Sequence, residues 1–386
     1  MIDPKRRSPT RRAVAASVLG LLAAPAVQAA QKHEQLVYFG TQGAEAGQGV
    51  FAARLDANTG KLTPIGVVAE LARPTWIVAH PSRAMLYAVS EIGNDGKSQG
   101  KVHALKADPK TGGLTLVSTV DSGGGGPTNL ALDARAGGLL VAHFGSGHVA
   151  ALPVRADGGL GPVASAQREQ GSGPSPRQKS SHAHGVVLDP SGRYALVADL
   201  GADRVFVHPY DRRKRQLAPA AATSVAVPPG TGPRHLAFHP NGRLVFLISE
   251  LVPAVRSYGW DARRGRLTEL SVVRAGGEDP PASGAEITVS RDGRFVYASV
   301  RVEQVIVVYA VDQKTGALSE IQRIPSGGQT PWSFAIDPTG RWLLVTNQGS
   351  STVTVLARDP ASGRLTATDQ AMPVTKPTSV AFLASR

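Results

Sequence analysis

The sequence predicts an all-β fold, a seven-bladed β-propeller closed by pairing of the N- and C-terminal strands in one blade. Three observations predict it. A unit of apolar strand, turn, second apolar strand and Thr-Gly hairpin recurs about every fifty residues, the period of propeller blades. The strand after the turn occurs seven times. The strand before the turn also occurs seven times, but its last copy, Thr378 to Leu383, has no partner after it, and Leu36 to Phe39 has none ahead of it. Joined, the two ends complete one blade and leave no open radial edge.

The elements follow in chain order. Leu36-Val37-Tyr38-Phe39 opens the series, and the next second strands are Leu86-Tyr87-Ala88-Val89, Leu139-Leu140-Val141 and Ala195-Leu196-Val197. Val245-Phe246-Leu247-Ile248, Val296-Tyr297-Ala298 and Leu343-Leu344-Val345 complete it. Six turns precede the last six: His80-Pro81-Ser82-Arg83, the degraded Asp133 to Gly137, Asp189 to Arg193, His239 to Arg243, Arg291 to Arg294 and Asp337 to Arg341. Pro and Gly set such turns, and their near identity marks them as structural, with the Arg expected to pair locally. Arg212-Arg213-Lys214-Arg215 falls in an outer hairpin slot and reads as a solvated turn.

At 386 residues with 42% hydrophobic content, the chain can bury a large core, and residues 30–386 are read as one domain. Residues 1–29 read as an export leader: Arg11-Arg12 precedes an apolar stretch to Ala26, followed by small residues suited to cleavage after Ala29. The paired arginine points to twin-arginine export, with the general secretory route as alternative. The stretch is short for a spanning helix, so the mature protein is expected free in a bacterial periplasm without stable membrane insertion. No cysteine is present, which excludes disulfides, thiolate metal sites and a cysteine nucleophile. The formal charge of +13 becomes +9 once the leader removes five basic residues and one acid. That balance favours an anionic ligand, and nucleic acid is not an expected partner outside the cytoplasm.

First-strand starts and second-strand ends converge on one face near the axis. Ten residues after the Pro slot of each turn stand Glu91, Phe144, Leu200, Glu250, Arg301 and Gln348. Six before it stand Thr75, Thr128, His184, Arg234, Ala285 and Trp332, then Trp76, Asn129, Gly185, His235, Glu286 and Ser333 one position further in. Equivalent slots hold unrelated residues, as a site grafted onto a scaffold requires. Glu250 and Arg301 each end an apolar strand, so each charge must be paired or solvated in a funnel. A structural salt bridge and a backbone-satisfying histidine are the competing readings of these residues. His182-Ala183-His184 brings two imidazoles close in sequence, but no carboxylate cluster accompanies them, and no metal is assigned. The Gly-, Ser- and Pro-rich segment from Gln167 to Ser181 leads into this motif and is expected to border the pocket or serve as a plain connector. Gly123-Gly124-Gly125-Gly126 reads as an interblade linker and lacks the lysine of a phosphate-binding loop.

Several segments carry a family resemblance. They are Phe39-Gly40-Thr41, Leu86 to Glu91, His182-Ala183-His184 with Asp199 to Arg204, Gly232 to Pro240, Ser249-Glu250-Leu251 and Asn347-Gln348. In these the chain resembles, from about Leu36 to Leu383, the seven-bladed propeller lactonases, which include propeller-type 6-phosphogluconolactonases and a fungal carboxymuconate cycloisomerase. The resemblance implies a lactone hydrolase without cofactor, acting on an anionic or sugar-derived lactone. It places the catalytic roles on His184, Arg234, Glu250 and Arg301. His182, His235, Glu91, Glu286 and Gln348 are the expected substrate-binding residues. Departures occur at Glu286-Ile287-Thr288, where relatives have Glu-Ile-His, at Ser299 to Val302, and at Trp332, where an arginine is common. Cycloisomerisation by the same residues is one alternative, and a non-enzymatic binding propeller with Trp76 and Trp332 on an aromatic rim is another. The oligomeric state is left open.

Overall fold

The computed structural model describes residues 33–277 and 282–384; the expected leader, residues 1–29, lies outside them. Every regular element among the described residues is a strand, and the strands form seven sheets. Blade 1 runs from Ile77–Ala79 through Met85–Ser90 and Lys101–Ala107 to Leu114–Asp121. Blades 2 to 6 begin with Pro127–Asp133, Ala183–Leu188, Pro233–Phe238, Gly284–Val289 and Pro331–Ile336. Blade 7 joins Pro377–Phe382 to Glu34–Thr41, Gly49–Asp56 and Leu62–Glu70, closing the ring as the sequence predicts. Val37 faces Phe382 and Gly40 faces Ser379 in that antiparallel pair. A Cβ on Gly40 would lie 2.3 Å from both the Pro74 carbonyl oxygen and the Ser379 hydroxyl, so only glycine lets the chain ends close beside blade 1.

The second strands are apolar throughout because each is buried on both faces. Alternate residues point to opposite neighbours. Leu139 and Val141 pack toward blade 1, whereas Leu140 packs toward blade 3. Leu196 faces blade 4 while Ala195 and Val197 face blade 2. The core is accordingly a set of apolar layers between neighbouring blades, and the axis is left to other chemistry.

Polar clasps lock the seams at the turn face. Buried Tyr38, Tyr87 and Tyr297 donate to the carbonyls of Gly112, Gly158 and Gly363, each in the outer hairpin of the next blade, at 3.0, 3.1 and 2.7 Å. At Gly363 the backbone is left-handed (φ 73°) and a Cβ would stand 2.4 Å from the Phe295 ring, so this hairpin glycine serves the seam as well as the turn. The turn arginines reach equivalent hairpins: Arg193 donates to the Ala262 carbonyl, Arg341 to Ala57, and Arg294 to Ala361 at 3.0 Å. Their pairing is therefore only partly local.

The basic hairpin departs from the sequence expectation in the same way. Arg212 grips Asp133 of blade 2 through Nε at 2.7 Å and Nη2 at 2.5 Å, and Arg215 donates to the Ala136 carbonyl at 2.8 Å. Only Arg213 and Lys214 are solvated. The degraded turn at Asp133 to Gly137 lacks the Pro-Ser-Gly-Arg pattern, and the hairpin of the next blade supplies the missing arginine from outside.

Two outcomes test this architecture. Deleting Lys376 to Arg386 exposes the inner edge of Glu34–Thr41 and is expected to cost several kcal/mol, a large share of a typical total stability; an unchanged urea midpoint would refute the closure. Arg212→Ala, which strands the buried Asp133 carboxylate, is expected to destabilise by about 1–3 kcal/mol, whereas Arg213→Ala stays within about 0.5 kcal/mol in the same measurement.

Candidate active site

The first strands carry an irregularity at one shared position. Thr128, His184, Arg234, Trp332 and Thr378 are each skipped in the pairing of the first strand with the second, and blade 5 skips Ala285 and Glu286. A β-bulge there bends the strand and re-aims the extra side chain. It lets two successive residues reach the axis: Arg234 meets Glu250 while His235 meets Glu286. In blades 2 to 6 the slot found six residues before the Pro position falls at this bulge. The partner slot is fixed by backbone bonds, since Glu250 N donates to the Gly232 carbonyl and Arg301 N to the Ser283 carbonyl, both at 2.7 Å.

These two devices bring His184, Arg234, Glu250 and Arg301 into one group. Glu250, only 2% exposed, accepts at Oε2 from Arg234 Nε at 2.9 Å, and the same oxygen is ion-paired with Arg301 Nη2 at 2.8 Å. His184 Nε2 lies 3.7 Å from the same oxygen. Oε1 is bound by Arg177 at 2.6 Å. Burial alone would push the Glu250 carboxyl up, but the guanidiniums of Arg301 and Arg234, with His184 and Arg177, outweigh it and hold the pKa well below the usual range. Arg234 is fully enclosed, and burial together with Arg301 brings its pKa down to about 10, so it stays charged near neutrality. Burial and the neighbouring cations hold His184 far below the ordinary histidine value, so it is neutral at rest.

Arg177 was missed by sequence reasoning. It lies in the segment expected at the pocket border, of which Gln167 and Arg168 belong to a strand, Ser165–Arg168. The rest is a built turn: Gln178 donates through its backbone N to the Ser175 carbonyl and through Nε2 to the Leu200 carbonyl, both at 2.8 Å. Half-exposed Arg177 therefore approaches Glu250 from the solvent side. Its only sequence signal was the unusual length of the segment before His182.

A second layer lies deeper along the axis. His235 Nδ1 is 3.0 Å from Glu286 Oε1, and Glu286 also accepts from Ser333 Oγ at 2.9 Å and Ile287 N at 3.0 Å. The His184 and His235 rings stand 5.1 Å apart, centroid to centroid, and Trp76 reaches across the axis from blade 1 to meet His235 at 5.0 Å. Beneath is an axial cavity of about 260 Å³ lined by Trp76, Asn129, His235 and Glu286 with the first strands of blades 2 to 4.

The remaining candidates stand apart from the charged group. His182 stacks on Phe144 at 4.6 Å and contacts the Phe144 carbonyl through Nδ1 at 2.6 Å; Phe144 in turn touches the His184 ring. Glu91 pairs with Asn94 at 2.8 Å and with Arg73 at 3.8 Å, and Gln348 donates to Gln42 at 2.6 Å, so both are engaged at the rim. Trp332 is a wall of the site, with the Arg301 guanidinium carbon 4.7 Å above its ring and that of Arg234 at 5.8 Å. Among the described residues, no three His, Asp or Glu side chains gather as a metal-binding group.

Comparison with known proteins accords with this geometry. The profile of a family described as "Lactonase, 7-bladed beta-propeller" matches residues 36–382. A 6-phosphogluconolactonase of Bacillus subtilis is 31% identical over 348 residues, covering 90% of this chain and 97% of the relative. One from Formosa agariphila is 29% identical over 324 residues, 83% of this chain and 91% of the other. Among solved structures, a periplasmic gluconolactonase of Pseudomonas aeruginosa superposes with a TM-score of 0.84 at 34% identity, covering 92% of this chain and all of the other.

Proposed function

The chain belongs to the seven-bladed β-propeller lactonase family and is a lactone hydrolase; we propose that its substrate is an anionic or sugar-derived lactone, opened by His184, Arg234, Glu250 and Arg301 without a metal. The observation that carries this reading is the surplus of positive charge. Arg177, Arg234 and Arg301 surround one carboxylate, and Arg301 Nε is buried with no hydrogen-bond partner among the described residues, a donor available to an incoming oxygen. A carboxylate or phosphate group on the substrate would satisfy it, and Arg is suited to such planar, multiple hydrogen bonding.

Hydrolysis needs an attacking water, a place for the charge that develops on the carbonyl oxygen, and a proton for the departing ring oxygen. Arg234 and Arg301 supply fixed positive charge from buried positions, where it stabilises an oxyanion without reorganisation. His184 takes part in delivering the proton to the departing ring oxygen, and Glu250 holds the two arginines in place. An anion entering from the mouth competes with Glu250 for Arg177, so the loop arginine acts in recognition.

We place the mature protein in the periplasm. The Arg11-Arg12 leader supports this, and so does the likeness to a periplasmic gluconolactonase.

A panel of lactones with and without a carboxylate or phosphate is expected to reveal turnover that survives chelators. His184→Ala lowers that turnover by about 10²–10⁴. Arg301→Lys and Arg177→Ala raise KM for anionic lactones more than for neutral ones. Reversible loss of activity with chelators, or full activity in Ala variants of His184, Arg234, Glu250 and Arg301 alike, would sink the assignment of residues. Replacing Arg11 and Arg12 by Lys is expected to leave unprocessed precursor in the cytoplasm; an undiminished periplasmic yield would instead mark a general secretory leader.

A further inference from the structure

His235 and Glu286 form a carboxylate–imidazole pair one layer below the charged group. Glu286 is held on both oxygens, by His235 and Ile287 N at Oε1 and by Ser333 at Oε2. A carboxylate only accepts, so with Glu286 Oε1 at 3.0 Å as the nearer partner of His235 Nδ1, and Arg234 Nη1 more distant at 3.4 Å, Nδ1 carries the hydrogen and Nε2 presents its lone pair. That nitrogen is buried and has no hydrogen-bond partner among the described residues; the same holds for Trp76 Nε1. Both residues line the axial cavity of about 260 Å³. An acceptor and a donor converging on such a space satisfy the needs of a bound water.

We propose that His235, oriented by Glu286, is the base that takes the proton of the hydrolytic water, which sits in the axial cavity between Nε2 of His235 and the indole N–H of Trp76. This deepens the lactone-opening reading and rests on it. The substrate enters past Arg177, and its water comes from the opposite side along the axis. As the water oxygen bonds to the lactone carbonyl carbon, its proton moves to His235 Nε2 and the carbonyl π pair moves onto oxygen. When that pair returns, the ring C–O bond breaks and the departing oxygen takes the proton from the imidazolium, directly or over the neighbouring His184 ring. Lactone and water give the hydroxy acid, with no further reactant.

The surroundings distinguish the two histidines. Burial opposes the charged form of both. His184 faces Arg234 and Arg301, and the carboxylate beside it, Glu250, is already shared among three guanidiniums. His235 faces Arg234 and Glu250 from its own blade, His184 from blade 3 and Glu286 from blade 5. Glu286 is in direct contact, and its other hydrogen-bond donors are a hydroxyl and a backbone amide. An imidazolium is therefore better supported at His235, as in other carboxylate-backed histidine bases.

The test uses the mature protein and whichever lactone it turns over. His235→Gln is expected to lower kcat by about 10²–10⁴ while KM changes little. Glu286→Gln keeps shape but removes the negative charge that favours the imidazolium. Its acid limb in the pH profile of kcat/KM therefore moves to lower pH, a shift that a merely structural role would not produce. An unmoved limb in Glu286→Gln, or a His235→Gln turnover within threefold of the parent while His184→Ala is impaired, overturns this assignment alone. A parent protein that opens no lactone overturns the functional reading with it.

Discussion

Each second strand of this ring is covered on both faces by neighbouring blades, and the rest of the structure depends on that constraint. A sheet buried on both faces needs a neighbour on each side, so the series of blades can end only by meeting its own beginning. The terminal strands accordingly pair with one another in blade 7. Apolar surface is consumed between blades, as the division of Leu139, Leu140 and Val141 between two seams illustrates. Charged groups are left the outer surface, the strand ends around the axis and a few paired places in the seams, such as Asp133 with Arg212 and Glu169 with His208.

At the axis the cost of burying charge is met collectively. Glu250 would be strongly disfavoured as a lone buried carboxylate, and Arg234 as a lone buried guanidinium. Residues from blades 4 and 5 and from the segment before His182 share the task, so no single blade could hold the site by itself. The repeated bulge makes this convergence compatible with regular pairing. It admits an extra residue per first strand and turns it toward the axis while the remaining strand keeps its alternation. Evolution of the site can thus proceed at the bulged positions with little consequence for the seams.

Much of this was written in the sequence, and the reason is repetition. The turn pattern and the second strands recur often enough to give the number of blades, and the unmatched halves at the ends give the closure. Counting from the Pro slot located His184, Arg234, Glu250 and Arg301 because a propeller converts equal register into equal height along the axis. The bulges were not visible, since Thr128, His184, Arg234 and Trp332 share no chemistry. Nor was Arg177, whose segment has no counterpart in other blades and therefore no register to count. Arg212 was read as solvated because its hairpin slot is solvated elsewhere; its partner Asp133 belongs to the one turn that has lost its own arginine pattern. Glu91 and Gln348 occupy the right slots, yet Glu91 is engaged by Asn94 and Arg73 and Gln348 by Gln42 at the rim, so register alone does not bring a side chain into the charged group.

Apart from Arg212 and Arg215, which reach back from blade 3 to blade 2, the seam clasps described above have a direction. Tyr38, Tyr87, Tyr297, Arg193, Arg294 and Arg341 all reach forward, from the second strand or its turn to the outer hairpin of the following blade. A repeat that carries both a forward-reaching donor and a receiving hairpin is self-consistent under tandem duplication. Copying one such unit within the gene adds a blade whose hairpin accepts from the old neighbour and whose donor finds the next, leaving no clasp unmatched. The same polarity means that a blade lost by deletion heals its seam chemically, and that the number of blades is limited by closure geometry around the axis.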